Sequence, residues 1–246
     1  MKRRLFLASS ISSALAACAP IGTKLNDTPA FHNLLGSAQG LNHALIGTHG
    51  MAREYHDADV DAEFRVNGLA TPSDARYSEL ARTHFAGYKL VIDGLVEKKL
   101  TIPLHQLQMM HRVTQITRHD CVEGWSAIGK WSGIPLREML ALVAPAPDAR
   151  YVVFHCFDVD EQGTQYYESL DLHQAQHPQA LLALNLNGRP LDPDHGAPVR
   201  LRVPTQLGYK SAKWVSRIEF VSDFAKIGSG GGGYWEDQGY EWYAGI

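Results

Sequence analysis

The chain has 246 residues, with 23 Lys and Arg against 26 Asp and Glu, for a formal net charge of −3. This slightly acidic balance argues against nucleic acid as a partner, because phosphate backbones are bound by clustered Lys and Arg. Hydrophobic residues make up 45% of the chain, which is typical of a globular protein and excludes a largely disordered one.

The first 18 residues, MKRRLFLASSISSALAAC, have the features of an export signal. A basic start is followed by an apolar stretch too short for a membrane span and then by small residues. Arg3 and Arg4 resemble a twin-arginine signal, which predicts that the protein is exported folded to the periplasm. The segment ending at Cys18 also resembles a bacterial lipobox, in which Cys18 is lipidated and anchors the chain to a membrane. The alternative is an ordinary cleavage region that happens to contain a cysteine.

The elements after the signal are short and of mixed type. Residues 19–55 have weak periodicity and predict a tether and an irregular arm, followed by a single domain over 56–246. Thr71-Pro72-Ser73-Asp74 predicts a helix start, because Pro suits the first turn and Ser or Asp oxygens cap it. YKLVIDGLVEKKLTI alternates around Asp93-Gly94, which predicts a β-hairpin turning there. PLREMLALV predicts a short helix.

The second half of the chain has mainly strand patterns. YVVFHCFDV is apolar on both faces and predicts a buried strand. LALNLNGRPL predicts a second hairpin, which turns at Asn187-Gly188. VRLRV and WVSRIEFV alternate, and in the latter Trp214, Ser216, Ile218 and Phe220 share one face. The absence of a regular β-α-β series predicts a mixed α+β domain dominated by antiparallel sheet.

A glycine-rich run, GSGGGG at 228–233, precedes the aromatic tail YWEDQGYEWYAGI. No Lys-Ser or Lys-Thr follows the run, so a phosphate loop is not predicted. The run predicts instead a flexible connection. Five of the thirteen tail residues are aromatic, which predicts that the tail packs onto the domain.

Cys121 and Cys156 remain after Cys18. A disulfide between them and metal ligation by one of them are both compatible with the sequence. The proximity of His119 and Asp120 to Cys121 is poor support for a hydrolase dyad, because neighbouring strand residues point to opposite faces. Zinc is not predicted, since neither His-Glu-x-x-His nor Cys-x-x-Cys occurs. A single thiolate better fits a metal whose other ligands come from an organic cofactor.

Two segments carry a family resemblance. RHDCVEGWSAIGKWSGIPLREML and NGRPLDPDHGAPVRLRVPTQLGYKSAKWVSRIEF resemble, in this order, the two cofactor signatures of the sulfite oxidase superfamily of molybdopterin-dependent oxidoreductases. The Cys-Val-Glu-Gly-Trp context is most similar to the bacterial methionine sulfoxide reductase catalytic subunit type. The resemblance covers about residues 60–245. It implies a sulfite-oxidase-type molybdopterin-binding α+β fold and a molybdenum-molybdopterin cofactor.

The resemblance also implies roles for particular residues. Cys121 would be the thiolate ligand of molybdenum, and Tyr166 would face the metal, with Tyr167 as the alternative register. Residues that match cofactor-binding positions are Phe64, Asn67, Gly68, Arg118, His195, Arg200, Ser211, Ala212 and Lys213. Thiolates suit this metal, and arginine offers phosphate a planar fork. Taken singly, Arg118, His195 and Lys213 are better explained as a surface charge, a turn residue and a solvated strand end. Their occurrence together in the order of the family pattern favours the cofactor-binding roles. Cys156 is expected to be buried and inert.

The implied reaction is two-electron oxygen-atom transfer on a small-molecule substrate by a monomer. Since no Cys-x-x-Cys-His haem motif is present, electrons must pass through a separate redox partner, a membrane haem protein or a periplasmic cytochrome. Val66 stands where sulfite oxidases have a sulfite-binding arginine, which favours reduction of an S-oxide or N-oxide. His195, however, resembles the sulfite oxidases, so a sulfite dehydrogenase is the alternative. A non-catalytic envelope lipoprotein is the alternative from another class.

Overall fold

The computed structural model describes residues 50–69 and 71–246, and outside these ranges residues 28, 37, 40 and 41. The predicted export signal, with Arg3, Arg4 and Cys18, lies outside the described residues, as does most of the predicted arm. All elements below belong to the compact unit Ile46–Ile246. Among the residues described, no helix is both long enough and apolar enough to cross a membrane.

Within the described residues the chain forms ten strands and four α-helices. The strands are β1 Lys89–Gly94, β2 Leu100–Pro103, β3 Val113–Cys121, β4 Trp125–Pro135, β5 Tyr151–Val159, β6 Gln165–Asp171, β7 Leu181–Leu186, β8 Arg189–Pro190, β9 Arg200–Arg202 and β10 Val215–Val221. The helices are α1 Ala75–Arg82, α2 Leu104–Met109, α3 Leu136–Val143 and α4 Leu172–Ala175. The predicted helices correspond to α1 and α3.

The strands build two sheets. The first has the order β2-β1-β10-β5-β6, and the second has the order β3-β4-β7-β8 with β9 paired to β7. The β1–β10 pair is parallel, whereas the other pairs between these strands are antiparallel. This architecture confirms the predicted α+β fold dominated by antiparallel sheet.

The end of the predicted arm is part of the folded body. Glu54 forms a β-bridge with Thr117, next to a hydrogen bond from the Tyr55 backbone N–H to the Ile116 carbonyl. The Ala52 backbone N–H donates to Oε1 of Gln179 at 2.8 Å. The body therefore begins before the predicted boundary at residue 56.

The first predicted hairpin exists, but its predicted turn is wrong. β1 and β2 pair antiparallel with Ile92 opposite Leu100, so the connection runs through residues beyond Gly94. Asp93 and Gly94 instead extend β1 and pair with β10, where Gly94 lies opposite Phe220. Gly94 has φ 83°, and a Cβ there would overlap the Phe220 carbonyl. Gly94 of this Asp-Gly pair thus allows β10 to approach β1 closely, and the pair does not form a tight turn.

The second predicted hairpin is confirmed. Leu186 pairs with Arg189 across Asn187 and Gly188, which have φ values of 50° and 78°. Positive φ at both central residues is what a two-residue hairpin turn of the primed type requires. The buried strand predicted from YVVFHCFDV is also confirmed as β5, which lies between β10 and β6.

The alternation predicted for β9 and β10 holds only in part. Arg200, Leu201 and Arg202 are all buried, so neither face of β9 meets solvent. In β10 the register shifts between Val215 and Arg217. This bulge turns Val215 into the main core beside Ile218, whereas simple alternation places the two on opposite faces.

The aromatic tail packs onto the domain, as predicted. Tyr243 and Ala244 are buried, and the Ala244 carbonyl accepts a hydrogen bond from the Leu207 backbone N–H. The glycine run, however, is not a free connection. The backbone N–H groups of Ser229 and Gly231 donate to the carboxylate of Asp237 at 2.8 and 2.7 Å. The run is therefore folded around an acidic side chain of the tail.

Candidate active site

Cys121 lies at the tip of the β3–β4 hairpin. It pairs with Trp125, and Gly124 with φ 84° completes the turn between them. Side chains alternate along β3, so Thr117 and His119 point inward with Cys121 while Arg118 lies on the exposed face. The hairpin thus places the thiol at the wall of a cavity rather than on the outer surface.

The cavity has a volume of about 830 Å³. Its walls come from segments that are far apart in sequence: residues 67–69 and 71–73, 121–123, 158–166 and 208–214, and the tail over 234–240. Of the predicted site residues, those that line it are Asn67, Gly68, Cys121, Tyr166, Ser211, Ala212 and Lys213. The fold therefore brings together groups from both signature segments.

Two buried arginines lie on the ring of Trp131 behind this wall. The guanidinium carbons of Arg200 and Arg202 are 5.0 and 5.4 Å from the ring centroid. Arg200 donates to the carbonyls of His195 and Ser211 at 3.0 and 3.1 Å. Arg202 donates to the Arg118 carbonyl at 2.6 Å.

Both arginines carry unused hydrogen-bonding capacity. In the described part of the chain, Nε of each has no partner, and no carboxylate lies within ion-pair distance of either guanidinium. Burial lowers the pKa of Arg200 to about 10 and that of Arg202 to about 9. Buried cations are costly unless they are paired, so this pocket of positive charge is suited to an anionic group.

Lys213 supplies a third buried cation. Its Nζ donates to the carbonyls of Asn67 at 2.8 Å and Asp194 at 3.1 Å, and also to the carbonyl of Leu69. It lies 4.1 Å from the centroid of the Trp214 ring. Burial lowers the pKa of this ammonium to about 7. Lys213 therefore holds the 67–69 loop against the second signature segment.

His195 positions the Phe64 segment. Its Nε2 donates to the Phe64 carbonyl at 2.9 Å, and its Nδ1 lies 2.7 Å from Oδ1 of Asp192. The Phe64 ring then packs edge-on against Trp131, with centroids 5.1 Å apart. Phe64, His195 and Arg200 thus lie behind the cavity lining and support it.

Arg118 does not join the other predicted residues. Its side chain is 52% exposed and forms an ion pair with Asp120 at 2.8 Å on the outer face of β3. The alternation that turns Cys121 inward turns Arg118 outward. Its backbone carbonyl, which accepts from Arg202, is its link to the site.

His119 is a site residue that the sequence analysis did not propose. It is buried two positions before Cys121 on the same strand face, and neither ring nitrogen has a partner among the described residues. Burial and the positive charges of Arg202 and Arg200 hold its pKa well below the usual value, so the ring is neutral. Gly208 packs directly on it, and a Cβ there would overlap the imidazole. The two-residue spacing from Cys121 was the available signal.

Tyr166, rather than Tyr167, faces the cavity. The Tyr166 hydroxyl donates to the Tyr209 carbonyl at 2.8 Å. The Tyr167 hydroxyl instead donates to Asp237 at 2.8 Å, beneath the glycine run. The two cysteines are both free, with Cys121 partly exposed and Cys156 buried, so the disulfide alternative is not formed.

Acidic groups also lie in and behind the cavity wall. Asp158 is 8% exposed, Oδ1 lacks a partner among the residues described, and burial raises its pKa to about 7. Behind the wall, Lys210 Nζ donates to Glu168 at 2.5 Å and to Glu236 at 2.6 Å, and all three side chains are buried. This triad joins β6, the 208–210 turn and the tail.

The donors present fit an anionic cofactor that brings a soft metal. Four buried side chains have nitrogens without a partner among the described residues, and the two arginines among them lie on the ring of the third: Arg200, Arg202, Trp131 and His119. A thiol, that of Cys121, lines the cavity. A group with phosphate and heteroaromatic acceptors would satisfy those donors, and a thiolate suits molybdenum.

Comparison with known proteins decides the family. The profile of a family described as "Oxidoreductase molybdopterin binding domain" matches residues 77–226. The chain belongs to this family. The YedZ1 protein of Azospira oryzae, which carries the name of a protein-methionine-sulfoxide reductase subunit, is 37% identical over 99% of this chain and 87% of its own length.

Two further proteins match smaller shares of this chain. The protein-methionine-sulfoxide reductase catalytic subunit MsrP of Ralstonia nicotianae is 31% identical over 89% of this chain and 68% of its own length. The solved sulfane dehydrogenase SoxCD of Paracoccus pantotrophus aligns with a TM-score of 0.50 and 25% identity, over 56% of this chain and 39% of that one. These matches confirm the sulfite-oxidase-type fold, the molybdopterin cofactor and the oxidoreductase class. The individual roles of the site residues stay predictions.

Proposed function

We propose that this molybdopterin-dependent oxidoreductase reduces S-oxides, foremost methionine sulfoxide, with N-oxides as related substrates. One oxygen atom leaves the substrate per turnover while two electrons and two protons are consumed, so that a sulfide and water form. The names of the two relatives that span most of this chain support methionine sulfoxide as the substrate.

The observation that carries the proposal is the position of Cys121. Its thiol lines the same cavity as Ser211, Ala212 and Lys213, next to the buried arginines. Burial raises the pKa of the free thiol, and coordination would hold it as the thiolate that a metal requires. We infer that Cys121 ligates molybdenum and that Arg200 and Arg202 hold the anionic end of the pterin, while Lys213 holds the 67–69 loop in place beside them.

The remaining residues orient cofactor and substrate. When bound, the molybdenum-pterin group supplies the two-electron redox change and accepts the oxygen atom. His119, neutral and free at both nitrogens, is placed to donate one hydrogen bond to that group and accept another. Tyr166 fixes the substrate side of the cavity through its bond to the 209 carbonyl.

The charge of the lining supports an S-oxide over sulfite. The lining contains the carboxylates Glu123, Asp158, Asp160 and Glu161, and Lys213 is the cation among its described residues. A dianion is bound poorly where the surrounding charge has the same sign. Arg65 is not among the residues that line the cavity, and its guanidinium lies on the Trp125 ring, 5.1 Å from the centroid, so it does not supply the cation that Val66 lacks.

A second candidate is oxidation of an inorganic sulfur compound such as sulfite, with a cytochrome as acceptor. The likeness to a sulfane dehydrogenase and the histidine at position 195 favour it. We further infer export to the periplasm from Arg3-Arg4, an optional lipid anchor at Cys18, and a separate haem-protein redox partner. These inferences rest on the sequence of the first 18 residues and on the absence of a haem motif.

The test combines cofactor content with turnover. We expect about one molybdenum and one pterin per chain in the natively exported protein, and reduction of methionine sulfoxide by a reduced dye in large excess over oxidation of sulfite. Cys121→Ala should abolish turnover, since alanine offers no atom that could ligate the metal. Cys156→Ala is the matched control and should keep both metal and activity. Full activity in Cys121→Ala, or faster turnover of sulfite, would contradict the proposal.

A further inference from the structure

Five aromatic side chains follow one another along one side of the cavity: Tyr166, Tyr234, Trp235, Tyr240 and Tyr209. Successive ring centroids lie 5.4, 5.4, 5.3 and 5.3 Å apart. The Tyr166 hydroxyl closes the row by donating to the Tyr209 carbonyl at 2.8 Å. We call these five residues the aromatic row.

The aromatic row is not simply part of the core. Trp235 is 38% exposed and Tyr240 is 40% exposed, although both belong to a tail that is otherwise held on the domain. Large aromatic side chains at a cavity mouth are available to a ligand, and their packing against one another fixes their orientation.

Carboxylates stand at the edge of the row. Asp160 accepts hydrogen bonds from the Tyr234 hydroxyl at 2.9 Å and from the backbone N–H groups of Gln162 and Thr164 at 2.9 and 2.8 Å. These bonds, led by that from Thr164, lower the pKa of Asp160 and keep it ionised. Glu161 is exposed beside it and also lines the cavity.

The positive charge of the lining is already engaged elsewhere. Lys213 Nζ is held by three backbone carbonyls, on the side of the cavity that leads to the buried arginines. Asp158, further in, keeps one carboxylate oxygen without a partner among the described residues. The side of the cavity formed by the aromatic row is therefore both aromatic and negatively charged.

We propose that the aromatic row, with Asp160 and Glu161, is a subsite for a cationic side chain next to the S-oxide. The preferred substrate is then a polypeptide whose oxidised methionine is flanked by lysine or arginine. Aromatic faces attract ammonium and guanidinium groups, and nearby carboxylates strengthen that attraction. The inference rests on the proposed function for the identity of the oxidised group. The subsite itself concerns only the binding of the neighbouring cationic side chain, so it can be tested without turnover.

The test measures binding separately from turnover. Three peptides of equal length carry one central methionine sulfoxide flanked by lysine, alanine or glutamate, and calorimetry gives the Kd of each for the molybdenum-loaded protein. Two variants alter the subsite: Glu161→Gln removes a negative charge from it, and Trp235→Leu removes an aromatic face. Glu97→Gln removes the same charge from an exposed position outside the cavity lining and serves as the matched control.

We expect the lysine peptide to bind about fivefold or more tightly than the glutamate peptide, as a cation at a partly exposed aromatic site implies. The preference should fall by about twofold in each subsite variant, stay unchanged in Glu97→Gln, and shrink as salt is raised. Equal or absent binding of the three peptides overturns the inference, as does full preference in both subsite variants. If the lysine peptide binds preferentially but methionine sulfoxide is not reduced, the subsite is supported and the proposed function is refuted. If methionine sulfoxide is reduced but the three peptides bind equally, the proposed function is supported and the subsite is refuted.

Discussion

At the scale of single residues, Asp158 and Lys213 show how one cavity wall shifts opposite charges in opposite directions. Burial raises the pKa of Asp158 to about 7 and lowers that of Lys213 to about 7. The opposite charges of the two groups attract each other, but the two side chains are not hydrogen-bonded to one another. The Lys213 ammonium donates its hydrogen bonds to backbone carbonyls instead. Both groups are therefore held in place by the fold rather than by an ion pair.

Asp158 should make stability depend on pH. Between about pH 4 and 7 the carboxyl is ionised in the unfolded chain but protonated in the native one, so native stability falls as pH rises through this window. Asp158→Asn removes this loss. The change in the free energy of unfolding that the substitution causes should therefore be more favourable at pH 8 than at pH 4 by roughly 2–4 kcal/mol. Urea unfolding of metal-free protein at both pH values measures it. Glu97→Gln is the control, and an equal effect of Asp158→Asn at both pH values would contradict the prediction.

The sequence predicted Cys121 from its surroundings but missed two of its neighbours. From the sequence, His119 is considered only as part of a hydrolase dyad with Cys121, and that dyad is rejected because adjacent strand residues point to opposite faces. The spacing of two residues between His119 and Cys121 on β3 in fact puts both side chains on one face. Arg202 was read as one half of an alternating strand. Its burial on Trp131 depends on β4 and β9 packing together, which local sequence does not encode.

At the scale of elements, the turn residues predict a hairpin correctly where the strands on either side of the turn pair only with local partners at that point. Asn187-Gly188 forms the predicted turn because the two strands that it connects, β7 and β8, pair with each other directly beside it. Asp93-Gly94 has the same type of sequence, yet β10, from the far end of the domain, pairs with it and extends the strand. The bulge at Val215 has the same origin, since it adapts β10 to two different neighbours.

Gly94 should be intolerant of a side chain. Gly94→Ala combines a positive φ with overlap of the Phe220 carbonyl, and we expect a loss of at least about 2 kcal/mol in the free energy of unfolding. Gly188→Ala is the matched control, because it has a similar φ of 78° but no heavy atom near its added Cβ. It should lose only about 1 kcal/mol. Equal losses in the two variants would show that the strand approach is looser than described.

At the scale of the whole molecule, the Glu168–Lys210–Glu236 triad joins three distant parts of the chain. Glu168 belongs to β6, Lys210 to the second signature segment and Glu236 to the tail, which contributes three of the five residues of the aromatic row. Burial is the main cause that raises the pKa of Glu168, and the second carboxylate adds to it. The tail is thus attached to the cavity wall through Lys210, whose single positive charge pairs with both buried carboxylates.

Removal of the central cation should loosen this attachment. Lys210→Met leaves two buried carboxylates without a compensating cation, which costs about 3–5 kcal/mol at neutral pH. The loss should be smaller at pH 5, where protonation removes the unpaired charge. Thermal unfolding at the two pH values measures the difference, and tryptophan fluorescence reports the tail through Trp235. Lys226→Met, at an exposed site, controls for loss of charge, and an equal effect of the two variants would refute the role of the triad.

The parallel pairing of β1 with β10 has a consequence for the order in which the molecule is made. It joins residues 91–94 to residues 217–220 in the first sheet, so this sheet cannot be completed until nearly the whole domain has been synthesised. Pairings between such distant segments form slowly. A chain that completes one of its two sheets late is poorly suited to being threaded unfolded across a membrane and refolded on the far side. The proposed export in folded form would let synthesis, sheet closure and loading of the cofactor finish in one compartment before the protein leaves it.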